Sequence, residues 1–297
     1  MHKARVLISG ASGLIGQAIS SSLAAQGYIV NRLTRKQGAN SGNVVWDPSQ
    51  PIAPEKVSGF DAVIHLAGEN IFGVWIKEKK QRILNSRVYG TKNLVAGLIH
   101  AQEKPRVFLC SSAIGYYGNR GDEVLREDSA SGTGFLAEVC REWEAATTPA
   151  KDASIRTVNI RTGIVLSAKD GALKKMLPAF RMGLGGKLGS GKQWWSWIHI
   201  DDMVGAVEYA LEQDSLSGPV NFAAPNPVTN AQLTKTLAQV LSRPAFFQVP
   251  KFALKLALGH SADELLLSGQ RVEPEKLQDS GYAFKFPDLE GALKNLV

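Results

Sequence analysis

The chain has 297 residues, 44% hydrophobic and 21% charged, a globular balance with enough length for one large domain or two modest ones. The net charge is +7, but the basic runs Arg35-Lys36, 77–80 and Lys174-Lys175 are short and scattered, which argues against nucleic acid and suits a phosphate-bearing small molecule. The 2 cysteines, Cys110 and Cys140, have neither pairing nor metal-ligand spacing, which excludes a disulfide scaffold and a zinc site and suits a reducing, cytoplasmic compartment.

Residues 5–9 (RVLIS) read as a short apolar strand and 14–26 as a helix. The stretch 6–31 carries no charge, which has the outline of a membrane span. Gly10, Gly13, Gly16, Gly27, the serines 20–22, Gln17 and Gln26 fall inside it and suit a strand, a turn and a helix instead, so no membrane partner is expected. Further strands are predicted at 28–33, 44–46 and 61–66. A long helix at 77–102 stops before Pro105, followed by a strand at 107–110, a helix at 134–147 and a strand at 155–160. Continuous apolar strands separated by helices indicate a parallel sheet covered on both faces, hence an α/β, Rossmann-type doubly wound fold.

After Arg161 the character changes. Segment 183–197 (GLGGKLGSGKQWWSW) reads as an irregular loop, while 198–200, a helix at 201–212 and 220–223 read as a return to the sheet. From Pro225 onward come short helices and one small strand at 282–286.

The strongest chemical signal is the run Gly10-Ala11-Ser12-Gly13-Leu14-Ile15-Gly16, a GxxGxxG between a strand and a helix. Its glycines allow a tight turn and close approach to a pyrophosphate, and the helix N-terminus offers free N–H groups to the phosphates. At the end of the second strand an acidic residue would hold the ribose 2′-hydroxyl of NAD, whereas arginine suits a 2′-phosphate. The run Asn31-Arg32-Leu33-Thr34-Arg35-Lys36 has no carboxylate, so NADP(H) is expected, with Arg35 and Lys36 on its phosphate.

With this turn, His65-Leu66-Ala67-Gly68-Glu69, Ser111-Ser112 followed by Tyr116-Tyr117-Gly118, Arg161-Thr162-Gly163 and 197–202 (WIHIDD), the chain resembles the extended short-chain dehydrogenase/reductase superfamily. It looks most like an atypical branch, nucleoside-diphosphate-sugar epimerase-like, whose members end in a short C-terminal domain of their own. The resemblance covers nearly the whole chain. It implies a cofactor seat made by Gly10, Ser12, Gly13, Leu14, Ile15, Gly16, Leu66, Ala67, Gly68, Glu69, Arg87, Thr162 and Ile164.

Superfamily enzymes use Asn, Ser, Tyr and Lys, with Tyr and Lys four apart on one helix. Aligned on Glu144, this chain has Leu136 at the tyrosine, Cys140 at the lysine and Arg87 at the asparagine, and it keeps Ser112. The cysteine and the arginine are features of the atypical branch. Leucine cannot exchange a proton, so the usual acid/base pair is missing. Ser112, Cys140 and Tyr117 are the catalytic candidates, with Tyr116, Glu69 or Asp122 as further replacements. Two readings stand for Cys140, a thiol tuned by a cationic nicotinamide and a small buried hydrophobe. Trp194, Trp195 and Trp197 likewise read either as a stacking surface for a ligand or as aromatic core. His199 reads as a core hydrogen-bonding residue.

The expected organisation is a cofactor-binding domain over 1–165 with the return segment 196–224, and a smaller mixed domain over 166–195 and 225–297 that shapes the substrate cleft. Two functions fit: an NADP(H)-dependent oxidoreductase or epimerase-like enzyme on a small polar substrate such as a sugar nucleotide, or an NADP(H)-binding sensor without turnover. The helices at 77–102 and 134–147 offer a homodimer face by analogy with the superfamily.

Overall fold

The computed structural model describes residues 4–36 and 42–297. Seven strands form its main sheet: β1 (Arg5–Ser9), β2 (Ile29–Thr34), β3 (Val44–Val45), β4 (Ala62–His65), β5 (Val107–Ala113), β6 (Arg156–Thr162) and β7 (Gly218–Phe222). Their order is β3-β2-β1-β4-β5-β6-β7, and every neighbouring pair is parallel. This is the Rossmann-type doubly wound sheet expected from the sequence.

The reason lies in the strand residues. Leu7, Val63 and Phe108 alternate with Ile8, Ile64 and Leu109, and each set packs on a different layer of helices. The first set meets Leu94 and Leu98 of α2 (Lys77–His100) and Trp143 of α3 (Phe135–Ala145). The second meets Ile19 and Leu23 of α1 (Leu14–Ala25), with Val207 and Leu211 of α4 (Ile200–Glu212). A strand buried on both faces has no polar side to show, so its sequence is a continuous apolar run.

A separate apolar cluster joins Leu173, Leu177, Trp195, Trp197, Leu233, Leu237 and Leu293. It ties the helix Gly171–Arg181 to the helix Asn230–Leu241 and to the C-terminal helix Leu289–Leu296.

The strand expected at 282–286 does not form. The backbone N–H groups of Lys285 and Phe286 donate instead to the buried carboxylate of Asp202, at 2.7 and 2.9 Å. The side chain supplies the acceptors that a neighbouring strand would have supplied. The segment 183–197 is less irregular than expected, with short strands at Gly186–Leu188 and Trp194–Trp195. The strand expected at 198–200 is Trp197–His199, and it pairs with Ile164–Leu166 rather than entering the main sheet. Among the described residues no helix is long and apolar enough to cross a membrane.

Candidate functional site

The chain runs outward from β1 in both directions across the sheet, so a crevice opens at the C-terminal ends of β1 and β4. The glycine turn after β1 and the loop after β4 meet there. Ser9 pins them together: its Oγ accepts the N–H groups of Leu66 and Ala67 at 3.1 and 3.3 Å and shares a hydrogen bond with Nδ1 of His65 at 2.6 Å. His65 is fully enclosed, and burial pushes its pKa down to about 4, so it stays neutral and can accept that hydrogen bond. Sequence reasoning did not single out Ser9.

The three glycines of the turn differ in what requires them. Gly10 has φ +69°, and a Cβ there would lie 2.8 Å from the backbone of Leu66 and Ala67. A Cβ on Gly16 would lie 2.3 Å from the carbonyl oxygen of Gly10. Gly13 has φ −77°, open to any residue, and its Cβ would meet only the Gly10 carbonyl at 3.4 Å. Neither conformation nor packing demands glycine at this position. What it leaves is free space in front of the first turn of α1, whose N-terminus has no side-chain cap and no acidic residue. That combination fits a pyrophosphate.

Ser12 is exposed and Leu14 and Ile15 are half-buried at this turn, with Ile15 alone of the three reaching the cleft described below. Arg35 and Lys36 are exposed just beyond β2. Arg87, on α2, packs its guanidinium flat beside Gly68, where a Cβ would come within 3.0 Å of Cζ. It donates to the Glu69 carbonyl at 2.9 Å and lies 5.1 Å from the centre of the Trp143 ring. The Glu69 carboxylate turns away to Arg82 at 3.4 Å.

A cleft of about 450 Å³ continues from this crevice. The structure brings Leu66, Gly68, Arg87, Ser112, Cys140, Thr162 and Ile164 to its wall. Gly10, Gly13, Gly16, Ala67 and Glu69 stay at the crevice side, and Tyr117 does not line the cleft at all. Trp194 and Trp195 do, Trp195 as a member of the separate cluster as well, whereas Trp197 lies wholly in that cluster, so the aromatic run divides between wall and core.

The polar groups behind the wall form a network. Ser112 Oγ donates to Glu144 Oε1 at 2.7 Å, and Arg161 grips both oxygens of Glu144 at 2.9 Å each. Arg161 also donates to the Tyr117 hydroxyl at 2.9 Å, which itself donates to Asn221 at 2.7 Å. Burial pushes the Tyr117 phenol up to about 12. Enclosed and doubly bonded, it positions Arg161 and has no access to a ligand in the cleft. Cys140 is buried, and burial together with the Glu144 carboxylate pushes its thiol up to about 12, so it remains protonated at neutral pH. His199 caps α4, its Nδ1 accepting the N–H of Asp201 at 3.0 Å. Asp122 holds the indole N–H of Trp194 at 2.7 Å.

Two further functional features escaped the sequence reading. The pair Glu144–Arg161 joins α3 to β6, and the motif pattern shows each residue but not their pairing. Glu264 lines the cleft from the turn Asp263–Leu267, and its carboxylate accepts the first N–H groups of α3, from Phe135 at 3.1 Å and Leu136 at 2.8 Å. No sequence motif announces it.

Residues 6–223 match the NAD dependent epimerase/dehydratase family, and 249–296 match a domain of unknown function (DUF1731). The chain is 42% identical to epimerase family protein Mb2239 of Mycobacterium bovis, across 99% of this chain and 97% of that one. The crystal structure of human epimerase family protein SDR39U1 (isoform 2) with NADPH aligns at a TM-score of 0.90 and 34% identity, covering 98% of each chain. A nucleoside-diphosphate sugar epimerase from Corynebacterium glutamicum aligns at 0.82 and 37% identity, over 99% of this chain and 58% of that one.

Proposed function

This chain belongs to the NAD dependent epimerase/dehydratase family, and from that premise we propose that it binds NADP(H) in the crevice between β1 and β4 and performs slow hydride transfer on a small molecule beside Ser112. The observation that carries the reading is Gly13, a glycine the protein itself does not require, facing an uncapped helix N-terminus. Arg35 and Lys36 would hold the 2′-phosphate, the first turn of α1 the pyrophosphate, and Arg87, Thr162 and Ile164 the inner half of the cofactor. The cofactor is assigned to residues 1–165 with 196–224, and the cover over the second ligand to 166–195 with 225–297.

When bound, NADPH supplies a hydride to a carbonyl carbon and leaves as NADP⁺, while the carbonyl oxygen takes one proton to become an alcohol. This chain's residues supply the proton path. The Ser112 hydroxyl points its hydrogen at Glu144, so its oxygen presents a lone pair to the cleft. In oxidation a substrate hydroxyl gives its proton to Ser112 Oγ as Ser112 passes its own to Glu144; reduction runs the same two transfers in reverse. Arg161 occupies both Glu144 oxygens, so each transfer displaces one of those contacts.

A second reading, an NADP(H)-bound sensor without turnover, is favoured by Leu136 at the proton-donor position and by the protonated thiol of Cys140. Titration of the pure protein with NADPH and NADH, beside Gly13→Val, tests the cofactor. Wild type should prefer NADPH, and Gly13→Val should stay folded and bind neither. Normal NADPH binding by Gly13→Val would overturn the site. Oxidation of bound NADPH in the presence of a carbonyl panel separates enzyme from sensor.

A further inference from the structure

The wall of the cleft beyond the cofactor seat names a class of second ligand, an inference that rests on the NADP(H) reading. Leu136, Val139, Ile114, Leu265, Trp194 and Ile71 are apolar parts of that wall. Three of its polar side chains, Ser196, Gln270 and Ser112, are already engaged by the protein. Ser196 Oγ donates to the Gln270 carbonyl and accepts from Val272, both at 2.8 Å. The Gln270 amide donates to the Gly118 carbonyl at 2.9 Å and to Ser268 at 3.1 Å. Ser112 is spent on Glu144.

Charge points the same way. Among the described residues the cleft wall has one cationic side chain, Arg87, which lies at the cofactor end and is held by the Glu69 carbonyl. Arg271 stacks on Trp194, 4.6 Å from its ring centre, and does not line the cleft. A diphosphate needs guanidinium or ammonium groups or a helix N-terminus. The N-terminus of α3, an 11-residue helix, is the one facing this wall, and Glu264 fills it. An anionic ligand would lose that partner and meet a carboxylate in its place.

We propose that the second ligand is a neutral, mainly apolar carbonyl compound with a planar ring, rather than a nucleoside diphosphate sugar, and that Glu264 sets this preference by occupying the anion site of α3. The small polar substrate expected from the sequence gives way, in this proposal, to one that buries its ring against Trp194 and Leu136 and sets its single oxygen beside Ser112, whose hydroxyl turns from Glu144 to donate to it.

The test uses the full chain saturated with 1,4,5,6-tetrahydro-NADP, which fills the cofactor seat against every probe and has no hydride to give the ketone. Equilibrium dialysis compares 2-acetylnaphthalene, its anionic counterpart 2-naphthoate, and UDP-glucose. The neutral ketone should bind about tenfold or more tightly than either anion, since like charges placed together cost several kcal/mol. Glu264→Gln, which keeps an acceptor oxygen for α3, should raise naphthoate affinity about tenfold and leave the ketone within about twofold. UDP-glucose binding as tightly as the ketone, or equal affinities for ketone and naphthoate in the wild type, would overturn the proposal. The wild-type comparison stands even if the variant does not fold. Failure to bind NADPH at all is a different result, which removes the cofactor reading and this proposal with it.

Discussion

Arg35 and Lys36 reach into solvent just past β2, where the run 31–36 offers no carboxylate. A charge-assisted contact to a phosphate is worth about 1.5–3 kcal/mol. Arg35→Ala should therefore weaken NADPH about tenfold or more and leave NADH nearly unchanged; calorimetry that finds both cofactors weakened equally would remove Arg35 from the 2′-phosphate. His65 carries a prediction of another kind. Burial lowers its pKa from 6.5 to about 4, so in that window the unfolded chain takes up a proton that the folded chain refuses. Stability is full above pH 6.5 and falls as pH drops toward 4, by up to about 1.4 kcal/mol per pH unit from this group. The buried His199, also lowered, adds in the same direction. His65→Gln keeps an acceptor for Ser9 and cannot titrate, so urea unfolding at several pH values should show a shallower acid slope than wild type; an unchanged slope would dismiss His65 as its source. At this scale the motifs point to positions, such as Gly13 at the crevice and Arg87 at the cleft wall, where the structure places them. The sequence is not legible where the role depends on a distant neighbour. The proton of Ser112 is directed by a residue 32 positions away, and Cys140 is silenced by burial that no spacing reveals.

The turn between β1 and α1 combines two demands that one motif hides. Gly10 and Gly16 serve the protein, because their missing Cβ atoms let backbone pack on backbone. Gly13 answers no demand of conformation or packing, and in the proposed reading it serves the ligand. Gly16→Ala should thus lower the thermal midpoint, since a Cβ placed 2.3 Å from a carbonyl oxygen forces the turn apart, and overpacking of this order costs about 1–3 kcal/mol. Gly13→Ala should melt within experimental error of wild type and lose cofactor affinity. Equal melting of the two variants would show that the glycines are not divided in this way. Strands and helices of the sheet were readable because burial on both faces leaves an apolar run and helices repeat at their own period. The segment 282–286 misled because its alternating aromatics look like a strand, while its backbone acceptors come from Asp202, some 80 residues earlier. The cap on α3 was hidden for the same reason: Glu264 is 128 residues from Leu136.

On the scale of the whole molecule, a cofactor crevice and a proton path are separate inheritances of the fold, and this chain keeps the first more fully than the second. Epimerisation through transient oxidation requires a group that removes a hydroxyl proton and returns it, beside a substrate that can change the face it presents. Leu136 cannot exchange a proton, the Tyr117 hydroxyl is sealed between Arg161 and Asn221, and the Cys140 thiol stays protonated. Of the candidates Ser112, Cys140 and Tyr117, the proposed reading leaves the proton to Ser112, which donates to a carboxylate already gripped by arginine. General acid–base help of the usual kind contributes about 10²–10⁴-fold in rate. With most of it gone, conversion of UDP-glucose to UDP-galactose by the cofactor-loaded protein should stay near background, and Ser112→Ala should remove whatever carbonyl reduction the protein shows while leaving NADPH affinity intact. Chromatographic assay of the two sugar nucleotides decides the first point. Turnover at about 1 s⁻¹ or faster, the ordinary range of enzymes, would mean that another group in the cleft exchanges the proton, and the network around Glu144 would then be support for the wall and nothing more.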